Sequence, residues 1–282
     1  MKRKTSATVI MYAVLVFFFV IWIFPIYTAI TKSLQAGGWN SYLSVINNKD
    51  VHYFRVVFNS FFISVVTAVI VVVITSLAGY AFAKMKFTGS QVIYVMLLAC
   101  MAVPIASVTM PLFFTIKTFG LTNTYLGMII PLVAFNALQM LLLWRNYFNG
   151  VPDEIIEAAR VDGCGNGRFF FKIALPLSKA IMAVLVLYLA VSYWDSYFNP
   201  MIFLTDRSKY PLALYLREIL LTAATGAANS MTTDAEAARK LQTMVQVIKY
   251  GVIVVSTLPI LCVYPFLQKY FVKGVMIGSI KG

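Results

Sequence analysis

Charge is scarce in this chain. Only 12% of its 282 residues are Asp, Glu, Lys or Arg, against 61% that are hydrophobic. A soluble domain carries about a quarter charged, so a water-facing surface cannot be built from this set. The chain is read as an integral membrane protein, and its mean hydropathy of +0.83 agrees. Histidine is nearly absent, with His52 alone. The three cysteines, Cys100, Cys164 and Cys262, form no CxxC pair. Neither a zinc site nor a disulfide framework follows from them. No GxxxxGK[ST] stretch occurs, so no P-loop nucleotide site is expected on this chain. No Gly/Ser-rich or Pro-rich linker divides the sequence, which leaves residues 1–282 as a single membrane domain.

Acidic residues are also few: 10 against 23 basic ones, a net charge of +13. A basic balance of this size raises nucleic acid as a partner, but no basic stripe interleaves with aromatics, so none is expected. The Lys and Arg residues gather instead at the edges of apolar runs, as membrane topology demands.

What is present is a series of runs near the 20 residues that a helix needs to cross the hydrocarbon core, about 30 Å thick. Six spans are predicted, at 9–31, 58–83, 91–116, 125–145, 180–204 and 244–270. They are apolar all round rather than alternating, which favours helices over a β-barrel. The expected fold class is therefore an all-α polytopic membrane protein. The opening MKRKTSATVIMYAVLVFFFVIWIF is similar to a signal peptide, yet its apolar part is too long and lacks a clear small-residue cleavage site. It is read as a retained first helix. Lys2, Arg3 and Lys4, then Lys84 and Lys86, then Arg145, Arg160, Arg168, Lys172 and Lys179, then Lys269, Lys273 and Lys281 fall on alternate segments. That places both termini and the 149–178 segment in the cytoplasm. Opposite them, 32–57 is polar enough for a folded outer loop. Residues 205–243, rich in small side chains, read as a flexible or shallowly packed excursion.

The 149–178 segment is too charged for its surroundings. Pro152 and the acidic Asp153, Glu154 and Glu157 suit a helix start. Ile155, Ala158 and Ala159 share one face at helical spacing, and alanines there leave a flat surface that another backbone can approach. Gly163, Gly165 and Gly167 allow a sharp turn. Arg168 to Ile173 form a second helix carrying Phe169, Phe170 and Phe171, and Pro176 ends it. Two readings remain open from the residues alone. One is a surface for a protein partner; the other is an interfacial helix on lipid headgroups, which the Phe triplet fits and the acidic start does not.

Glu157-Ala158-Ala159, three residues, Gly163, nine residues, then Ile173-Ala174-Leu175-Pro176 resembles the EAA loop of permease subunits of ATP-binding-cassette importers. GYAFAKMKFTG (79–89), GLTNTYLGMIIP (120–131) and FVKGVMIGSIKG (271–282) are similar to carbohydrate-importer permeases like the maltose transporter's smaller membrane subunit. YWDSYFNPMIFL resembles a branch often assigned to complex or modified oligosaccharides. The resemblance implies a coupling-helix pair that inserts into an ATPase subunit. Glu157 is its charged contact, Ala158 and Ala159 allow close packing, Gly163 makes the turn, and Ile173, Leu175 and Pro176 close the motif. CysGlyAsnGly at 164–167 is richer in glycine than the family pattern, so the second helix is expected to begin late or flex. The C-terminal tail is similar to one that reaches the ATPase interface. The resemblance further implies a second homologous permease subunit in a heterodimer, two ATPase subunits that hold ATP and Mg, an external solute-binding protein, and a prokaryotic cytoplasmic membrane. No cofactor is expected on this chain.

An ionisable group inside a span is a functional candidate. Asp195 lies in the fifth span beside Tyr193, Trp194, Tyr197 and Asn199, a mixture that suits sugar rings and hydroxyls. Pro200 is expected to break that helix. The bland alternative is an interfacial aromatic belt with Asp195 paired to another helix. Gln139 in the fourth span is a lesser candidate, more at home in a helix–helix hydrogen bond. An ion-coupled secondary carrier is the rival function, but it calls for several buried charges, and only Asp195 stands out. An intramembrane enzyme needs clustered His, Asp or Glu, and no cluster is found.

Overall fold

A computed structural model describes residues 5–46, 52–229, 249–251, 253–259 and 261–262. Among the described residues the regular structure is helical, with no strand. That is what a hydrocarbon solvent permits: each backbone N–H must find its carbonyl within its own segment. The described residues divide into two compact units, one drawn from 5–54 and 215–262, the other from 55–214.

In the first unit, α1 (Thr5–Gly37) is apolar on every side and almost wholly exposed, with Phe17 at 62% and Trp22 at 73%. Its side chains face whatever surrounds this chain, as a lipid-facing helix requires. Gly38, at φ 56°, turns the chain into α2 (Trp39–Ile46). The outer loop expected at 32–57 thus contains a helix.

The second unit holds α3 (Tyr53–Lys84) from Arg55 onward, α4 (Ser90–Cys100), α5 (Ile105–Thr118) and α6 (Tyr125–Asn149). α7 (Asp153–Val161), α8 (Asn166–Phe169), a π-helical turn (Phe170–Ala174) and α9 (Leu175–Leu177) follow, then α10 (Lys179–Trp194), α11 (Phe198–Phe203) and a 3₁₀ turn (Arg207–Lys209). α12 (Leu212–Asn229) starts here and runs on into the first unit. One apolar core joins Ile63, Ala68 and Val71 of α3 to Met128, Met140 and Trp144 of α6 and to Leu185 and Leu189 of α10. Gly79 shows how closely α3 and α6 cross. A Cβ there would sit 2.5 Å from Trp144 Cβ, so the crossing needs the bare backbone.

Among the described residues, α1, α3 and α6 are long and apolar enough to cross a membrane as single helices, and two bent pairs raise the number there to five. Residues 91–116 are occupied by one such pair, α4 and α5, bent by 99°. Pro104 explains the break: it lacks an N–H and disfavours a helical residue before it. The chain crosses the gap on i→i−3 bonds, from Met101 N to Leu98 O and from Val103 N to Cys100 O. The 180–204 region also breaks, but not at Pro200. α10 stops at Trp194, and Pro200 sits buried in the first turn of α11. A proline ring clashes with the carbonyl four residues earlier, so the break falls at 195–197 and leaves Pro200 where its missing N–H costs nothing. Within the segment expected at 205–243 as a flexible or shallowly packed excursion, residues 205–229 are largely helical rather than flexible. The 3₁₀ turn and α12 occupy them, and Leu212, Leu214 and Tyr215 are buried. Leu and Ala are strong helix formers, and the small residues extend the helix. The span expected at 244–270 and the C-terminal tail lie largely or wholly outside the described residues.

Candidate functional site

The segment between α6 and α10 is a hairpin of two helical arms built on the ends of the spanning helices. Asp153 and Glu154 stand in the first turn of α7, at the positive end of its dipole. Lys84, in the last turn of α3, reaches this start. Its Nζ donates to Val151 O at 2.7 Å and to Asp153 Oδ1 at 2.7 Å. The lysine side chain is buried to 9% exposure while the aspartate is 78% exposed. That hydrogen bond and ammonium charge hold the Asp153 carboxyl below the usual carboxylate range.

α7 ends in a full Schellman motif. Cys164 N donates to Ala159 O at 2.9 Å and Gly163 N to Arg160 O at 3.0 Å. Gly163 lies at φ +74°, and a Cβ placed on it would meet nothing within 4 Å, so the glycine serves conformation rather than space. The second arm begins at Asn166, immediately after Gly165, and not late as the glycine-rich stretch predicts. It does not end at Pro176. The π-helical turn at 170–174 widens the backbone ahead of the proline, whose ring would clash with Lys172 O in a regular α-helix, and the helix continues to Leu177. A bend of 75° then leads into α10. Ser178, fully buried, donates its hydroxyl to Leu175 O at 2.8 Å there.

The two faces of the hairpin differ from the expected pattern. Ile156 and Ala159 are the inward stripe of α7, each 7% exposed and part of the core. Ala159 therefore packs against its own chain and does not share the outer surface with Ala158. The larger Ile156 sets the inward direction, and a residue three positions on follows it. Glu154, Glu157, Ala158 and Val161 face outward with Gly163, and Val161 is 88% exposed. Phe169 and Phe170, both 3% exposed, turn into the protein, while Phe171 is 62% exposed. Tyr80 of α3 meets Phe170 at 5.3 Å and Phe169 at 6.1 Å between ring centroids, and Phe148 of α6 stacks on Trp144 at 5.4 Å. Two members of the Phe triplet thus fill an aromatic core rather than rest on headgroups. Ile173 and Leu175 are half-buried, and Pro176 is exposed. Sequence reasoning missed Lys84 and Tyr80 as neighbours of the hairpin, because about 70 residues or more separate them from it and no local spacing encodes the meeting.

The residues singled out in the fifth span separate. Tyr193 is buried and donates its hydroxyl to Leu132 O at 3.3 Å, a carbonyl that also accepts from Asn136 Nδ2 at 2.9 Å. Trp194 and Asn199 are half-buried. Asp195 is exposed at the C-cap of α10, in contrast to the buried charge expected, because the helix stops there. Gln139 is exposed on α6. No three His, Cys, Asp or Glu side chains come together as a metal cluster among the described residues.

A second polar cluster, unforeseen, lies at the other end of α3. Asn59, 2% exposed, donates from Nδ2 to Ser208 O at 2.8 Å and Tyr210 O at 3.1 Å, and accepts from Tyr125 Oη at 2.8 Å. Ser60 Oγ accepts from Leu212 N at 2.6 Å. Asn123, at φ 59°, accepts on Oδ1 from the N–H groups of Thr205 and Asp206 at 3.1 and 2.9 Å. Lys209 Nζ donates to Asn123 O at 2.8 Å.

Residues 72–277 match the family described as the binding-protein-dependent transport system inner membrane component. A polygalacturonan/rhamnogalacturonan transport system permease protein of Bacillus subtilis is 34% identical over 223 residues, 79% of this chain and 75% of that protein. An arabinooligosaccharides transport system permease protein of the same organism is 25% identical over 279 residues, 93% and 92% of the two chains. Among solved structures, a chain of a bacterial ABC transporter involved in the import of the acidic polysaccharide alginate superposes with a TM-score of 0.72 at 28% identity. The match covers 96% of this chain and 99% of that one.

Proposed function

The chain belongs to the family of binding-protein-dependent transport inner membrane components, and we propose that its α7–α9 hairpin is where ATP-driven force enters it. The protein is a permease subunit of an ABC importer and lies in the membrane. The ion-coupled carrier weighed from the sequence has no support among these relatives. The observation that carries the proposal is the hairpin's outer face. Glu154, Glu157, Ala158 and Val161 project from a helix whose inner side is anchored by Ile156 and Ala159 and whose end is fixed by Gly163.

In this reading Glu157 supplies the charge and Ala158 the flat surface for a partner ATPase. Gly163 sets the angle between the arms, while Ala159, Ile173, Leu175 and Pro176 hold the hairpin's form. Two ATPase subunits carry ATP and Mg, and this chain binds neither. A second homologous permease completes a heterodimer, residues 1–282 act as its one transmembrane domain, and an external solute-binding protein delivers the substrate. Both termini and the hairpin are cytoplasmic. The cargo is an oligosaccharide, and two of the similar proteins carry the names of acidic polymers, so an acidic oligosaccharide is the one to test first. Trp194, Asp195 and Asn199 line its path, with Gln139 beside it; Tyr193 positions α10 through Leu132.

In the assembled importer, Glu157→Lys or Gly163→Pro is expected to leave membrane insertion intact and to abolish uptake driven by ATP. Wild-type uptake in either variant would refute docking at this hairpin.

A further inference from the structure

We propose that α3 is a strut that carries the movement of the hairpin to segment 204–212, with Lys84 and Asn59 as the positioning residues at its two ends. The proposal rests on the coupling role of the hairpin. At the hairpin end, a single turn of α3 grips both arms. Lys84 holds the entry of α7 through Val151 O and Asp153, and Tyr80, one turn earlier, packs on Phe169 and Phe170 of the second arm. Neither arm can shift without dragging or breaking these contacts. The lysine's near-complete burial makes breaking costly, since its charge would be left without partners.

At the far end the grip is on backbone. Asn59 bonds the carbonyls of Ser208 and Tyr210, and Ser60 accepts the amide of Leu212. Asn59 and Ser60 are 2% and 1% exposed, so water cannot replace these bonds if segment 204–212 lags behind. The segment is itself ordered through Asn123, so displacement at the end of α3 moves a defined body. Between the two grips α3 runs as one helix with no proline inside. At 1.5 Å per residue, Asn59 and Lys84 stand about 38 Å apart along the axis. A rigid helix held at both ends is one physical means of carrying coupling over such a distance.

A double-mutant cycle in the reconstituted importer, read as solute moved per ATP hydrolysed, tests this. Lys84→Met and Asn59→Ala are each expected to lower the ratio several-fold. Lys84→Arg, which keeps a charged donor, stays near wild type. The double variant is no worse than the worse single one, because both cut the same route. Losses that multiply independently, or a wild-type ratio in either single variant, overturn the strut. Where Asn59→Ala does not assemble, Tyr125→Phe replaces it, removing only the hydroxyl donated to Asn59. Where Lys84→Met does not, Asp153→Asn replaces it, with the same outcomes. Glu157→Lys is run in parallel. Unchanged uptake there sinks the coupling reading itself, whereas uncoupling there beside independent losses in the cycle sinks only the strut.

Discussion

Lys84 and Asp153 show how one pair ties local chemistry to the hairpin. The folded Asp153 carboxyl is held below its ordinary range by the lysine's hydrogen bond and charge. The unfolded chain binds that proton more readily, so the pair's stabilisation is fully present above the ordinary pKa and is lost as pH falls through the lowered one. Amide exchange over 153–161 is therefore expected to be slower in wild type than in Asp153→Asn at pH 7. That difference should begin to shrink as pH drops below about 4 and vanish only once pH has fallen past the lowered pKa. A difference that persists in acid would show that the carboxylate does not hold α7. Ala159 makes the complementary point. Its type invites a docking surface, yet its place beside Ile156 commits it inward.

At the scale of elements, the hairpin keeps its form through side chains that point back at the spanning helices. Phe170 is nearly inaccessible and lies between Tyr80, Phe148 and Phe171 at ring separations of 5.3, 6.3 and 5.0 Å. Phe170→Ala is expected to cost about 3 kcal/mol, as buried Phe truncations do, and to lower the thermal inactivation temperature of the purified complex. Phe171→Ala, at an exposed site, is expected to leave that temperature unchanged. Equal losses from the two would mean that the aromatic core does not anchor the arm. The π-helical turn belongs to the same logic: it allows Pro176 inside a continuous arm, where a proline by itself reads as a stop.

For the whole molecule, the proposed orientation, with the hairpin cytoplasmic, predicts which side each end of α3 faces. With Cys100, Cys164 and Cys262 replaced by Ser, Glu157→Cys is expected to react with a membrane-impermeant maleimide only after permeabilisation. Arg207→Cys is expected to react in intact cells. The reverse pattern would invert the topology and remove the hairpin from any cytoplasmic ATPase. The segments expected as single spans at 91–116 and 180–204 are both bent or broken, a shape that composition did not carry. Proline and a run's length are local properties. The direction in which a bent segment leaves depends on the helices it meets.

The sequence alone determined the helical membrane class, the hairpin's residues and its turn at Gly163. These follow from hydropathy, from short-range spacing and from a backbone conformation that glycine adopts without strain. Only the tertiary structure decided that Ala159, Phe169 and Phe170 face inward, that Asp195 is exposed, and that Lys84 and Asn59 clamp opposite ends of one helix. Those outcomes depend on which distant segments share a contact, and the periodicity of a single helix carries no record of its neighbours.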